Sequence, residues 1–124
     1  MKIKESAENY LETIFIIKNK KGFVRSIDVA NHLGFSKPSV SVAMKSFREE
    51  GFITVDTDGS IELTPKGMSI AEEMYERHTI IAGFLQNIGV DEETALEDSC
   101  KIEHVISKQS FEKIKEYLEN NNKK

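Results

Sequence analysis

The sequence of 124 residues predicts a mostly α-helical fold. Apolar residues recur at intervals of three and four through most of the chain, which is the spacing of helices that bury one face. Two short segments, 52–55 and 60–63, instead alternate apolar with polar residues, as half-buried strands do. The length is somewhat under the roughly 150 residues of an average domain, so we expect one compact unit or two small ones.

Three helices are predicted before the strands, and each has a start or a stop signal. The first covers 5–18, where the apolar pattern is continuous. Ser26 and Ser36 are expected to cap the second and third helices, which Gly34 and Gly51 end. The apolar stripes are Ala7, Tyr10, Leu11, Ile14, Phe15 and Ile17 in the first helix, Ile27, Ala30 and Leu33 in the second, and Val40, Met44 and Phe47 in the third.

A β-hairpin and three further helices are predicted in the rest of the chain. Residues 56–59 form the turn between the two short strands. Thr64 and Pro65 begin a long fourth helix, since proline is tolerated in a first turn. Asp91 and Ser107 are expected to cap the fifth and sixth helices.

Two short helices joined by a tight turn and followed by a hairpin match a winged helix-turn-helix, an arrangement that binds DNA. With its apolar stripe buried, the third helix presents small polar groups and cations that suit base edges and phosphates. Pro38 and Val42 are suited to thymine methyl groups. The predicted DNA-contacting residues are Ser36, Lys37, Pro38, Ser39, Ser41, Val42 and Lys45, with Arg25 from the preceding loop.

The charge distribution permits a polyanionic partner for the first half of the chain. Residues 1–50 carry nine Lys and Arg against six Asp and Glu, whereas residues 51–124 carry eight against fifteen. The first half is therefore basic and the second acidic, although the formal net charge is −4. The alternative is that the third helix only has a solvated face, and Asp56 and Asp58 at the hairpin tip favour this alternative because they would repel phosphate.

A candidate metal site comes from the later helices. Cys100, Glu103 and His104 stand at positions i, i+3 and i+4 of the predicted fifth helix, which puts a thiol, a carboxylate and an imidazole on one face. His78 lies on the inner stripe of the fourth helix, and the first helix offers Asn9 and Glu12. Singly, each has an ordinary structural explanation. Together they favour a cation, since ionisable groups on a buried face need a partner.

At these residues the sequence resembles the metal-dependent repressors of the diphtheria toxin repressor and manganese transport regulator type. The resemblance covers nearly the whole chain, and the segment from Cys100 to Val105, at its distance from His78, is its most specific part. The other matching segments are Glu8-Asn9-Tyr10-Leu11-Glu12, Ser36-Lys37-Pro38-Ser39-Val40-Ser41, Leu63-Thr64-Pro65-Lys66-Gly67 and Arg77-His78.

The resemblance implies a homodimeric repressor that binds palindromic double-stranded operator DNA when it is loaded with iron(II) or manganese(II). It implies the short two-domain form, with a DNA-binding domain in 1–66 and a metal-binding and dimerisation domain in 67–124. The metal-ligand positions match His78, Cys100, Glu103 and His104, with Glu12 and Asn9 on the first helix. Because a thiolate favours iron(II), cobalt(II) or zinc(II) over manganese(II), we expect Fe²⁺ as the metal and keep Mn²⁺ as the next candidate. A metal bound there is expected to hold the dimer in the geometry that fits an operator.

Other classes of protein remain as alternatives or are excluded. The alternative is a metal-independent winged-helix regulator of the multiple-antibiotic-resistance type that senses a small organic ligand, but it gives no reason for the thiol, carboxylate and imidazole in the fifth helix. A metallohydrolase or metal store is disfavoured, so we predict no enzyme. A single cysteine excludes an internal disulfide, and the longest apolar run is only 14–17, so we expect a cytoplasmic protein without a membrane partner.

Overall fold

The structure is a computed structural model that describes residues 5–122. It confirms the prediction of a mostly helical protein with one small hairpin. The chain divides into two compact units, Met1–Glu72 and Glu73–Lys124. The elements are α1 (Glu5–Lys21), α2 (Ser26–Leu33), α3 (Lys37–Glu49), β1 (Ile53–Val55), β2 (Ile61–Leu63), α4 (Pro65–Asn87), α5 (Glu92–Val105) and α6 (Lys108–Asn122).

Three helices, α3, α5 and α6, begin with the predicted side-chain caps. The Ser36 hydroxyl accepts the Ser39 N–H at 3.3 Å, and the Asp91 carboxylate accepts the Thr94 N–H at 3.0 Å. The Ser107 hydroxyl likewise accepts an N–H from the first turn of α6, at 3.1 Å. These caps satisfy N–H groups that have no partner within the helix.

The predicted cap of α2 was wrong by one residue. Ser26 is the first helical residue, and Arg25 is the N-cap with extended backbone angles. The cap is made by the carboxylate of Asp28, which accepts the backbone N–H of Arg25 at 2.9 Å. The first helix is also longer than predicted, because it continues to Lys21 and ends where Gly22 takes a positive φ of 88°.

The core of the first unit lies between α1, α2, α3 and the hairpin. Tyr10 packs edge-on against Phe47, with ring centroids 5.5 Å apart, and Phe47 packs edge-on against Phe52. The predicted stripe of α3 is buried, but Ile27 of α2 is 38% exposed and Val29 is buried in its place. The other buried residues of this core include Leu11, Ile14, Ile17, Val24, Ala30, Val40, Met44, Ile53 and Ile61.

The hairpin is an antiparallel pair in which Ile53 faces Leu63 and Val55 faces Ile61. Its base is fixed to the start of α4, since the Thr64 N–H donates to the Phe52 carbonyl at 3.0 Å. A Cβ atom at Gly67 would lie 2.1 Å from the same carbonyl oxygen. Glycine is therefore required at this position for the first turn of α4 to approach β1.

The second unit has a smaller core formed by α4, α5 and α6. Its buried apolar residues are Met74, Ile81, Ala82, Ala95 and Phe111. An ion pair of 3.0 Å joins Lys115 of α6 to Glu76 of α4. Among residues 5–122, no helix combines the length and the apolar content of a membrane span.

The Asp28 cap makes stability depend on pH in a defined direction. Hydrogen bonds from Lys21, at 2.7 Å, and from the Arg25 backbone lower the pKa of Asp28 below its usual 3.8. A lowered folded-state pKa contributes stability above the unfolded-state value and loses it as the pH falls through the folded-state value. We therefore expect the difference in free energy of unfolding between the wild type and Asp28→Asn to narrow as pH falls from about 7 to about 3. Urea unfolding at each pH measures it.

The matched control is Asp98→Asn, which changes an exposed carboxylate on α5. Its stability relative to the wild type should change much less over the same interval. If the difference in free energy of unfolding between the wild type and Asp28→Asn stays constant with pH, the cap does not depend on the charge of Asp28.

Candidate metal centre and nucleic-acid interface

The third helix presents the predicted DNA-contacting face to solvent. Its buried side is formed by Val40, Met44 and Phe47. Val42 is 71% exposed, so its side chain is available for contact on this face. The remaining exposed residues of the predicted set on this face are Ser36, Lys37, Pro38, Ser39, Ser41 and Lys45.

Arg25, a member of the predicted set, contacts the tip of the hairpin. Its Nε donates to the Asp58 carbonyl at 3.1 Å, and its guanidinium lies 3.8 Å from the Asp58 carboxylate. The side chain also packs over Gly59, so it ties the tip of the hairpin to the start of α2. Sequence reasoning missed this role because the two residues are 33 positions apart.

The cations of α1 and of α3 differ in their partners. Lys18 pairs with Glu62 and Lys21 pairs with Asp28, so the basic end of α1 is partly neutralised within the unit. Within the described part of the chain, the three cations of α3 form no ion pair; they are Lys37, Lys45 and Arg48. The exposed side of α3 therefore carries a group of three cations that are not neutralised by ion pairs within the described part of the unit.

In the second unit, a thiol, an imidazole and a carboxylate meet between α4 and α5. One ligand atom each from His78, Cys100 and Glu103 lies within 4.8 Å of the other two. The Nδ1 atom of His78 is 3.7 Å from the Cys100 Sγ and 3.2 Å from a carboxylate oxygen of Glu103. Glu103 is 1% exposed, whereas Cys100 is exposed, so the cluster reaches from the interior to the surface.

The fourth predicted ligand of this unit adjoins the same carboxylate. His104 Nε2 is 3.3 Å from the second oxygen of Glu103, and the His104 side chain is almost fully buried. Glu103 thus lies between two imidazoles, one from α4 and one from α5. The structure brings together all four residues that sequence analysis placed in the later helices.

The electrostatics of the cluster are dominated by His78. Its hydrogen bonds with Cys100 and then with Glu103 raise the pKa of His78 from 6.5 to about 10, against the opposing effect of burial. The imidazole is therefore protonated at neutral pH when no other cation is present. This charge balances the buried carboxylate of Glu103.

The two predicted ligands from α1 belong to the first unit. Glu12 is 4% exposed and Asn9 is half-buried. They stand three residues apart in a helix, so they share a face of α1.

The donor chemistry of the second unit fits a divalent transition metal. A thiolate, imidazole nitrogens and a carboxylate are ligands of iron(II), cobalt(II) and zinc(II), whereas calcium and magnesium prefer oxygen donors alone. The shared carboxylate between two imidazoles also fixes the orientation of both rings. Sequence reasoning did not anticipate two further contacts here, from Arg77 and Ser99, whose acceptors are backbone carbonyls.

A winged helix-turn-helix and a cluster of transition-metal donors in one chain define the class as a metal-responsive DNA-binding regulator. Comparison with known proteins identifies the family. The description "Iron dependent repressor, N-terminal DNA binding domain" matches residues 2–61, and "Iron dependent repressor, metal binding and dimerisation domain" matches residues 64–124. The chain belongs to this family of metal-dependent transcriptional repressors, which confirms the resemblance found in the sequence.

Relatives agree over most of the chain. The HTH-type transcriptional regulator MntR of Lysinibacillus sphaericus is 31% identical over 114 residues, which are 92% of this chain and 82% of that protein. An uncharacterised HTH-type transcriptional regulator of Methanocaldococcus jannaschii, MJ0568, is 32% identical over 117 residues, or 93% and 94% of the two chains. The relatives are named as transcriptional regulators, as predicted, and not as enzymes. The metal-independent alternative is not favoured.

Solved structures show the same fold. The structure of the manganese regulator SloR superposes with a TM-score of 0.79 at 25% identity and covers 96% of this chain. This chain spans 55% of the length of SloR, so the match concerns about half of that protein.

Proposed function

We propose that the protein binds a divalent transition metal through His78, Cys100, Glu103 and His104, and that the loaded homodimer represses transcription at a palindromic operator. The observation that carries this proposal is the approach of a thiol, an imidazole and a buried carboxylate within 4.8 Å of one another. Glu12 and Asn9 are proposed as the remaining donors, on the resemblance of their positions in the first helix.

We propose iron(II) as the physiological metal, with manganese(II) next. The thiol of Cys100 supports iron, because thiolate donors favour iron(II) over manganese(II). The relatives named MntR and the manganese regulator SloR support manganese as the second candidate. The choice between the two ions depends on whether the exposed thiol is a direct ligand.

An anaerobic calorimetric titration of the purified protein with iron(II), manganese(II) and zinc(II) tests the proposal. Saturable binding of at least one ion per chain is expected. Because the metal displaces the proton of His78, the measured heat should depend on the ionisation enthalpy of the buffer. Absence of binding by all three ions would overturn the metal site.

Replacement of the thiol tests the metal preference. In Cys100→Ser the soft donor becomes a hydroxyl, while size and position are nearly kept. We expect the affinity for iron(II) and zinc(II) to fall by roughly tenfold or more and that for manganese(II) to change little. Competition titrations against a colorimetric chelator measure all three. Equal losses for the three ions would show that the thiol does not select the metal.

The third helix is proposed as the element that enters the major groove. A symmetric dimer places two such helices, which fit one face of the duplex when they are about 34 Å apart. We expect a cation bound by the donors of the second unit to lower the free energy of the conformers with this spacing. The metal thereby shifts a population toward the operator-binding form, and DNA must in turn tighten metal binding.

A further inference from the structure

The three clustered donors of the second unit come from two helices, so their distances depend on how α4 and α5 are aligned. Cys100 and Glu103 share α5, and their spacing is fixed by the helix itself. His78 belongs to α4, and a slide of one helix along the other by about 1 Å would change its distance to both. Whatever fixes this alignment also fixes the geometry of the donors.

One contact that fixes it comes from Ser99, which directly precedes Cys100. The hydroxyl of Ser99 donates to the backbone carbonyl of His78 at 2.6 Å. Ser99 is 0% exposed, so no water competes for this hydrogen bond. The bond therefore joins the backbone of the metal donor His78 to Ser99, the residue next to the metal donor Cys100.

A second contact comes from Arg77, which directly precedes His78. One terminal nitrogen of Arg77 donates to the carbonyl of Glu103 at 3.1 Å and to that of Ile106 at 3.0 Å. These carbonyls lie at the end of α5, where carbonyls lack partners within the helix and attract a cation. The guanidinium also lies 5.5 Å from the ring centre of Phe111, which holds it in place.

The two contacts are reciprocal. Arg77, which precedes the metal donor His78 of α4, is bonded to α5 at Glu103. Ser99, which precedes the metal donor Cys100 of α5, is bonded to α4 at His78. We propose that Ser99 and Arg77 are positioning residues that align α4 with α5 and thereby set the geometry in which His78, Cys100 and Glu103 receive a metal ion. This inference rests on the proposed metal site and adds residues that do not themselves ligate.

The test uses the full-length variants Ser99→Ala and Arg77→Lys with cobalt(II) as the probe. The visible spectrum of bound cobalt(II) reports the geometry and the thiolate ligand, and its titration gives the affinity. Loss of supporting hydrogen bonds typically weakens metal binding by roughly 10–100-fold. We expect such a loss and an altered spectrum in Ser99→Ala. Arg77→Lys should show a smaller change of the same kind, because the shorter ammonium cannot reach both carbonyls.

The control is Lys115→Ala, which breaks an ion pair between α4 and α6 in the same unit but leaves α5 untouched. All variants are also unfolded thermally in the presence of a chelator, which measures the stability of the metal-free fold. Lys115→Ala should keep the cobalt spectrum and affinity of the wild type.

The outcomes separate the two proposals. Wild-type spectrum and affinity in folded Ser99→Ala would overturn the positioning role, and so would wild-type behaviour of Arg77→Lys if Ser99→Ala fails to fold. The positioning role would also be overturned if the loss of metal affinity in Ser99→Ala only follows its loss of thermal stability and Lys115→Ala shows the same loss. No cobalt binding by the unaltered protein would overturn the metal site itself.

Discussion

In Glu103→Ala, DNA binding should lose its dependence on added metal. The Glu103 carboxylate is 1% exposed and lies between the imidazoles of His78 and His104, at 3.2 and 3.3 Å. Its removal takes away an anionic donor and leaves two imidazoles without their common partner. We expect the affinity for iron(II) to fall by at least about 100-fold, the upper end of what loss of a supporting contact alone costs.

The measurement is operator binding by fluorescence anisotropy with and without saturating metal, beside analytical ultracentrifugation to show that the dimer persists. Glu103→Gln keeps the shape and removes only the charge, so it should behave like the alanine variant. Glu97→Ala changes an exposed carboxylate of the same helix and should leave the metal response intact. An unaltered metal response in Glu103→Ala would refute the proposed ligand set.

In Lys45→Ala, DNA binding should weaken and become less sensitive to salt, while metal affinity stays the same. Lys45 is an exposed cation on the face of α3 opposite the buried stripe. If each subunit of the dimer loses one phosphate contact, the slope of log affinity against log salt falls by about 1.8. If the two proteins bind equally at about 1 M salt, this change in slope makes the Lys45→Ala complex roughly 60-fold weaker at about 0.1 M salt.

Lys101→Ala is the matched control, because it removes an exposed lysine from α5 in the acidic half of the chain. It should leave the salt slope unchanged. Arg25→Ala should have a mixed effect, since Arg25 already bonds the tip of the hairpin. A wild-type slope in Lys45→Ala would place α3 outside the DNA interface.

Local signals in the sequence predicted most of the fold. Ser36 and Asp91 were found as caps because a cap needs only a side chain and an N–H three residues later. The predicted start of α2 was wrong because two residues in this segment could serve as the cap. Ser26 has a suitable side chain at the expected position, but the cap is made by Asp28 from within the helix. Ile27 was placed in the core because its spacing suits a helix face, but the neighbouring strands and helices bury Val29 instead.

The candidate metal centre shows a similar limit. Cys100 and Glu103 were predictable together, since helical spacing puts them on one face. His78 was a candidate because it lies on the inner stripe of α4, but no local pattern connects it to residues more than twenty positions away, and the resemblance to a family supplied that connection. The contacts of Arg77 and Ser99 were not predicted, although Arg77 belongs to a matching segment, because their acceptors are backbone carbonyls, which every residue has and no sequence pattern marks.

The close approach of Gly67 to the Phe52 carbonyl indicates the structural role of the motif Thr-Pro-Lys-Gly, residues 64–67. The Thr64 hydroxyl donates to the Gly51 carbonyl at 2.7 Å, and the Lys66 ammonium donates to the Glu50 carbonyl at 3.1 Å. These two contacts join the start of α4 to the end of α3 and the turn that leads into β1, and neither involves a metal donor. In this chain, Thr-Pro-Lys-Gly therefore specifies how α4 begins against the preceding elements of the first unit, and it carries no information about which signal the protein senses.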